Sequence, residues 1–212
     1  VLQNAKSMKP VERAASLRAV LKSLDTQVHK QEKAAIKHNA AQYSALAEIH
    51  LELQDFELAL LAVNRSLKNY RVHETAFAAR TWLLRARILY ELGQLDAALW
   101  NASVARQLQS DVRGFSTLAG RIHLAAGRLN LARFRIEEAL RQAGDDPVVR
   151  APLLTLMAEI SLRQNDEKEM LSSLASSYRI LPASLDTWRE HKSVWDVCLN
   201  GAECLLAVRR DR

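Results

Sequence analysis

The sequence predicts an all-α fold, a right-handed superhelical solenoid of stacked antiparallel helix pairs, and three observations predict it. First, the stretch from Ala79 to Ser110 reads as two helices broken at Gly93. Trp82, Ala86 and Leu89 stand at offsets of zero, four and seven, and Ala98, Ala102 and Ala105 repeat that spacing beyond the break. Such offsets share one helical face, so large residues on one helix meet small ones on the other. Second, the unit recurs, with turns at Gln54, Gly93, Gly127 and Asn165, spaced by 39, 34 and 38 residues. Third, no run alternates like a strand, and six Gly and four Pro fall mostly at turns in a chain that is 49% hydrophobic. A chain of 212 residues built this way buries an extended core without a second domain type.

Taken in order, residues 1–10 form a lead-in ending at Pro10, a residue suited to a first helical turn. Ala14, Leu17, Val20, Leu21 and Leu24 then make one apolar stripe. The expectation is a helix to about Leu24, a break near Asp25-Thr26, and a second helix to Asn39, together a cap or a degenerate repeat. The first repeat places Tyr43, Leu46, Ala47 and His50 before its turn, with Ala59, Val63 and Ser66 after it. In the second, Gly93 suits the left-handed end of a helix and Asp96 favours the start of the next. The third has Gly120 in the small slot and His123 in the aromatic one, followed by Ala132, Ile136 and Ala139. The fourth has Leu154, Met157, Ala158 and Ser161, then Met170, Leu174 and Ser177, with Pro182 closing it. The two longer spacings put their extra residues in the connections NYRVHETAF, from Asn69, and QAGDDPVV, from Gln142. Beyond them Leu185, Trp188, Trp195 and Leu199 recur at helical spacing, with another short helical stretch after Gly201. This end reads as a cap, apolar inward and polar outward, as solenoid ends require, or alternatively as a docking stripe. The organisation expected is 1–39 basic helices, 40–182 four repeats and 183–212 capping helices.

The pattern of Trp82, a small residue at Ala86, Gly93 and the spaced alanines resembles the tetratricopeptide repeat family, whose repeat length is 34. The resemblance covers roughly residues 40–182 and implies helical hairpins with a concave groove. In that family one flank of each first helix lines the groove where peptides bind. With Trp82 at zero on the wheel, Arg80, Leu83, Arg87 and Tyr90 fall together between roughly 80° and 160°. The matching residues are Ala41, Ser44, Glu48 and Leu51 in the first repeat and Gly114, Thr117, Arg121 and Leu124 in the third. In the fourth they are Pro152, Thr155, Glu159 and Leu162. Members that clamp a chaperone's C-terminal carboxylate carry Lys and Asn at defined slots, and these are missing here. The expected binding strip is therefore Arg80, Leu83, Arg87, Tyr90, Thr117, Arg121, Leu124, Thr155 and Glu159, suited to an acidic segment with apolar anchors. The competing reading pairs the arginines with Glu48, Glu52, Glu91 or Glu159.

Charge and chemistry narrow the function classes. Residues 1–40 carry eight Lys/Arg against three Asp/Glu, so most of the formal +6 lies there. A second excess of Arg113, Arg121, Arg128, Arg133, Arg135 and Arg141 faces only Glu137 and Glu138. Without an aromatic among residues 1–40 to stack on a base, a solvated basic face is preferred to nucleic-acid binding. No Gly-rich phosphate loop, nucleophile elbow or zinc-helix motif occurs, and His50 and His123 read as packing residues. Cys198 and Cys204 flank Asn200-Gly201, read as a turn, and two unpaired thiols are preferred to a disulfide. No stretch of about eighteen apolar residues predicts a membrane span. The expectation is thus a non-enzymatic scaffold or adaptor without cofactor or metal, binding a protein or peptide partner. Its expected compartment is cytoplasmic, or periplasmic if a signal sequence preceded Val1. The alternatives are the helical-repeat sensor region of a bacterial transcription activator and a basic RNA- or DNA-binding solenoid.

Overall fold

The computed structural model describes residues 10–33, 40–70, 74–180 and 192–210. Among them lie ten α-helices and no strand. These are α1 (Pro10–Lys33), α2 (Ala40–Glu52), α3 (Phe56–Asn69), α4 (Thr75–Glu91) and α5 (Leu95–Leu108), followed by α6 (Phe115–Ala125), α7 (Leu129–Gln142), α8 (Pro147–Arg163), α9 (Glu167–Ile180) and α10 (Lys192–Arg210). The chain divides into two compact units, residues 1–115 and 116–212.

Four of the connections share one geometry. Gln54, Gly93, Gly127 and Asn165 all take positive φ, between 61° and 74°. The next residue's N–H in each case reaches back five residues, from Asp55 to His50, Gln94 to Leu89, Arg128 to His123 and Asp166 to Ser161, at 2.8–2.9 Å. The positive-φ residue itself donates to the carbonyl three residues before it, at 2.9–3.1 Å. This pair of bonds satisfies carbonyls that a helix end leaves open. Glycine takes the left-handed conformation without strain at two of these turns, and Asn165 tolerates it better than most residues. Asp55, Gln94 and Arg128 then adopt nearly the same φ and ψ as the following helix starts.

Counted from these turns, the packing slots repeat. Seven residues before each stands a small residue, Ala47, Ala86, Gly120 or Ala158, and all four are buried. Five residues before each stands an isoleucine, Ile49, Ile88, Ile122 and Ile160, every one fully buried. In the first unit Ile88 joins Tyr43, Leu46, Ala47, Ala59 and Val63 of the hairpin before its own. Ile160 in the second unit likewise joins Leu124, Ala132, Ile136 and Ala139. Ile49 packs instead on Leu17, Val20, Leu21 and Leu24 of α1. The first helix thus supplies to Ile49 the apolar surface that a preceding hairpin supplies to Ile88 and Ile160.

In the first and fourth repeats a serine twelve residues past the turn ties the open end of the hairpin. Ser66 Oγ donates to the Ala40 carbonyl at 2.8 Å, and Ser177 Oγ donates to the Ala151 carbonyl at 2.9 Å. Replacing Ser177 with alanine is expected to reduce stability by about 1 kcal/mol, the net worth of a buried hydrogen bond, because Thr155 keeps its own bond to Ala151. Chemical denaturation that leaves the Ser177→Ala midpoint unmoved would contradict this.

Three expectations are corrected. The first helix is not broken at Asp25-Thr26 but continues to Lys33, with the Thr26 hydroxyl folded back onto the Lys22 carbonyl at 2.7 Å. Residues 34–39 lie outside the described residues, so the expected second helix there is not described. Asn200-Gly201 is no turn either, since α10 runs through it. Gly201 is small because Tyr178 and Leu174 of α9 approach it; a Cβ there would run into the Tyr178 hydroxyl. Both cysteines are free, and six residues along a helix separate them by about 9 Å, too far for a disulfide. Burial, with Glu159 and Glu203 adding to it, pushes the Cys204 thiol's pKa upward. Finally, α10 buries Val197 and Cys204, but its outer face exposes Leu199, Leu205 and Leu206 rather than being wholly polar. Leu185, Trp188 and Pro182 lie outside the described residues.

Candidate functional site

Each unit presents its own strip of the expected binding residues. On α4 of the first unit Arg80 and Arg87 are exposed, and Leu83 and Tyr90 are half-buried beside them. Seven residues along a helix put the two guanidinium-bearing positions on one side, about 10 Å apart in rise. The side chains stand there because Ala78, Ala79, Ala86, Ile88 and Leu89 take the buried side of the same helix. No carboxylate among the described residues pairs with Arg80 or Arg87.

In the second unit Thr117 is half-buried and Arg121 exposed on α6. Leu124 is not a groove residue but a member of the core with Ile136 and Met157. Thr155 is also internal. Its hydroxyl donates to the Ala151 carbonyl at 3.0 Å and lies 3.1 Å from Ser177 Oγ, partners that draw it inward. Glu159 is half-buried and accepts from Arg163 at 2.7 Å, a pair within one helix. Of the nine expected residues, the four on α4 are brought together as one surface, and Thr117 and Arg121 form a smaller one.

Other polar groups of the basic third repeat are spent on structure. Arg133 donates to Glu169, to Gln164 and to Ser161, and Gln164 in turn donates to Asn130. This network links α7 to α8 and α9. Arg135 pairs with Glu138 at 2.9 Å. His50 and His123 are both buried. His50 Nδ1 lies 3.6 Å from Asp55, whereas His123 has Arg128 at the corresponding place. Burial first, then Arg128 and Arg135, hold the His123 pKa below its ordinary value, favouring the neutral ring.

Sequence reasoning missed a second cluster on α4. Arg85 falls eight residues before the turn, in the slot that holds buried Leu46, Ala119 and Met157 in the other repeats. A cation in an apolar register position was the available signal. Its guanidinium lies over the Trp82 ring at 5.5 Å, and Trp82 meets Trp100 edge-on at 5.8 Å.

Among the described residues no three His, Cys, Asp or Glu side chains converge as a metal site. No helix among them is long and apolar enough to cross a membrane. No protein-family model matches the chain, and no curated protein matches it.

Proposed function

We propose that this chain is a non-enzymatic binding scaffold, a helical-repeat protein of the tetratricopeptide kind, that holds an acidic peptide or protein segment. The observation that carries the reading is the α4 strip, where exposed Arg80 and Arg87 alternate with half-buried Leu83 and Tyr90. A guanidinium offers a planar fork matched to a carboxylate, and the intervening apolar surface adds contact that a purely ionic site lacks. Alternating Asp or Glu with Leu or Phe along a partner segment answers that arrangement. The four turns of common backbone geometry support the helical-repeat reading. Arg121 with Thr117 offers related chemistry on α6.

The decisive experiment replaces Arg80 and Arg87 together by glutamate and titrates a labelled acidic amphipathic peptide by fluorescence anisotropy. Two charge-assisted contacts at about 1.5–3 kcal/mol each predict at least a hundredfold loss of affinity. Both arginines are exposed, so the melting temperature is expected to stay within a few degrees of the parent's. Undiminished binding at moderate salt would remove this strip as the site.

A further inference from the structure

On α4 the chemistry of Arg85 lies opposite the Arg80–Arg87 strip. With Trp82 at zero, Arg85 falls at about −60° and the strip centres near 120°, half a turn away. The Arg85 Nε is shielded from solvent and has no hydrogen-bond partner among the described residues. The guanidinium is held above Trp82, 5.5 Å from the ring centroid. Trp82 is half-buried, but Trp100, packed against it at an interplanar angle of 79°, is 59% exposed. Burial lowers the Arg85 pKa, the sign of a cation desolvated without a compensating anion. Two features therefore sit side by side: a partly desolvated cation with no anion paired to it among the described residues, and a large indole left in water. One ligand removes both if it brings an anion and an apolar group together.

We infer that Arg85, Trp82 and Trp100 form a second docking site, taking a partner protein segment with an Asp or Glu carboxylate beside an apolar side chain. The carboxylate accepts from the terminal Nη groups of Arg85, and the apolar neighbour packs on the exposed indole of Trp100. A planar guanidinium held over an aromatic ring keeps its fork of donors for a fork-shaped acceptor. A polyphosphate backbone fits less well, since such binding draws on several cations along the chain and this cluster supplies one. With the Arg80–Arg87 strip on the other side of the same helix, the chain would join two acidic segments rather than hold one.

The test is an array of labelled short peptides pairing Asp or Glu with Leu, Phe or Trp at separations of one to four residues. Each is matched by its Asn or Gln counterpart. They are titrated by anisotropy against the parent chain, Arg85→Gln, Arg85→Lys, Trp100→Ala and the Arg80→Glu/Arg87→Glu double variant, with circular dichroism confirming that each folds. The expected result is a subset of acidic peptides whose affinity falls at least tenfold in Arg85→Gln and in Trp100→Ala, and less in Arg85→Lys. Exchanging the acid for Asn or Gln in that subset costs a similar factor, and the double variant keeps the binding. Binding lost only in the double variant would assign every acidic peptide to the first strip and overturn the second site. So would an array with no binder, equal binding of the neutral counterparts, or a random-sequence oligonucleotide that alone responds to Arg85→Gln.

Discussion

Replacing Ile88 by alanine is expected to lower the unfolding free energy by between about 2 and 5 kcal/mol. The side chain is fully buried, and its neighbours include Tyr43, Leu46, Ala59 and Val63 from the preceding hairpin and Val28 from α1. Removing it takes away the transfer energy of its carbons and leaves a cavity between two hairpins that neither can close alone. Ile88→Val deletes a single methyl and is expected to cost about 0.5–1.5 kcal/mol. Leu61→Ala is the control, since Leu61 is half-exposed on α3 and an exposed position of this kind changes stability by about 0.5 kcal/mol or less. Urea titration followed by far-UV circular dichroism ranks the three. A loss at Ile88 no greater than at Leu61 would mean that the isoleucine slot does not bind one hairpin to the next.

Gly120→Ala is expected to destabilise the chain, although alanine is the better helix former by about 1 kcal/mol. A Cβ at this position would stand 2.5 Å from Ile136 Cδ1 and 2.9 Å from its Cγ1. Rotating Cδ1 away does not clear Cγ1, and χ1 of a β-branched residue in a helix has one strongly preferred setting. Ile136 is itself fully buried, so it has no solvent to swing into. Overpacking of this sort costs about 1–3 kcal/mol, enough to exceed the propensity gain. The sign should reverse when the obstruction is gone: in an Ile136→Ala background Gly120→Ala is expected to be stabilising by up to about 1 kcal/mol. The four members of this double-mutant cycle are compared by thermal and urea denaturation. Equal effects of Gly120→Ala in both backgrounds would show that the two residues are not in contact.

The helical class, the positions of the four turns and the small slots are all legible in the chain's own residues. Each of these is local: a left-handed residue ends a helix within one turn, and helical periodicity is visible in any window of a dozen residues. The same locality places Arg80, Leu83, Arg87 and Tyr90 on one side of α4, since residues on one helix share a face by spacing alone. The isoleucines at 49, 88, 122 and 160 are legible as identical residues in one register, but the large-small pairing of helix faces does not single them out. Packing between helices settled which equivalent positions remain at the surface. Thr155 shares its register slot with Leu83, yet the Ala151 carbonyl and the Ser177 hydroxyl hold it inside the fourth repeat. Gly201 follows an asparagine in what reads as turn chemistry, yet it is a contact residue in mid-helix because Tyr178 and Leu174 come so near. Arg85 lies alone in an apolar slot until α5 brings Trp100 against Trp82 and turns the three into one cluster. Neighbouring residues dictate backbone conformation through short-range sterics and hydrogen bonds. Burial and pairing depend on side chains from other helices, and no window of sequence contains them.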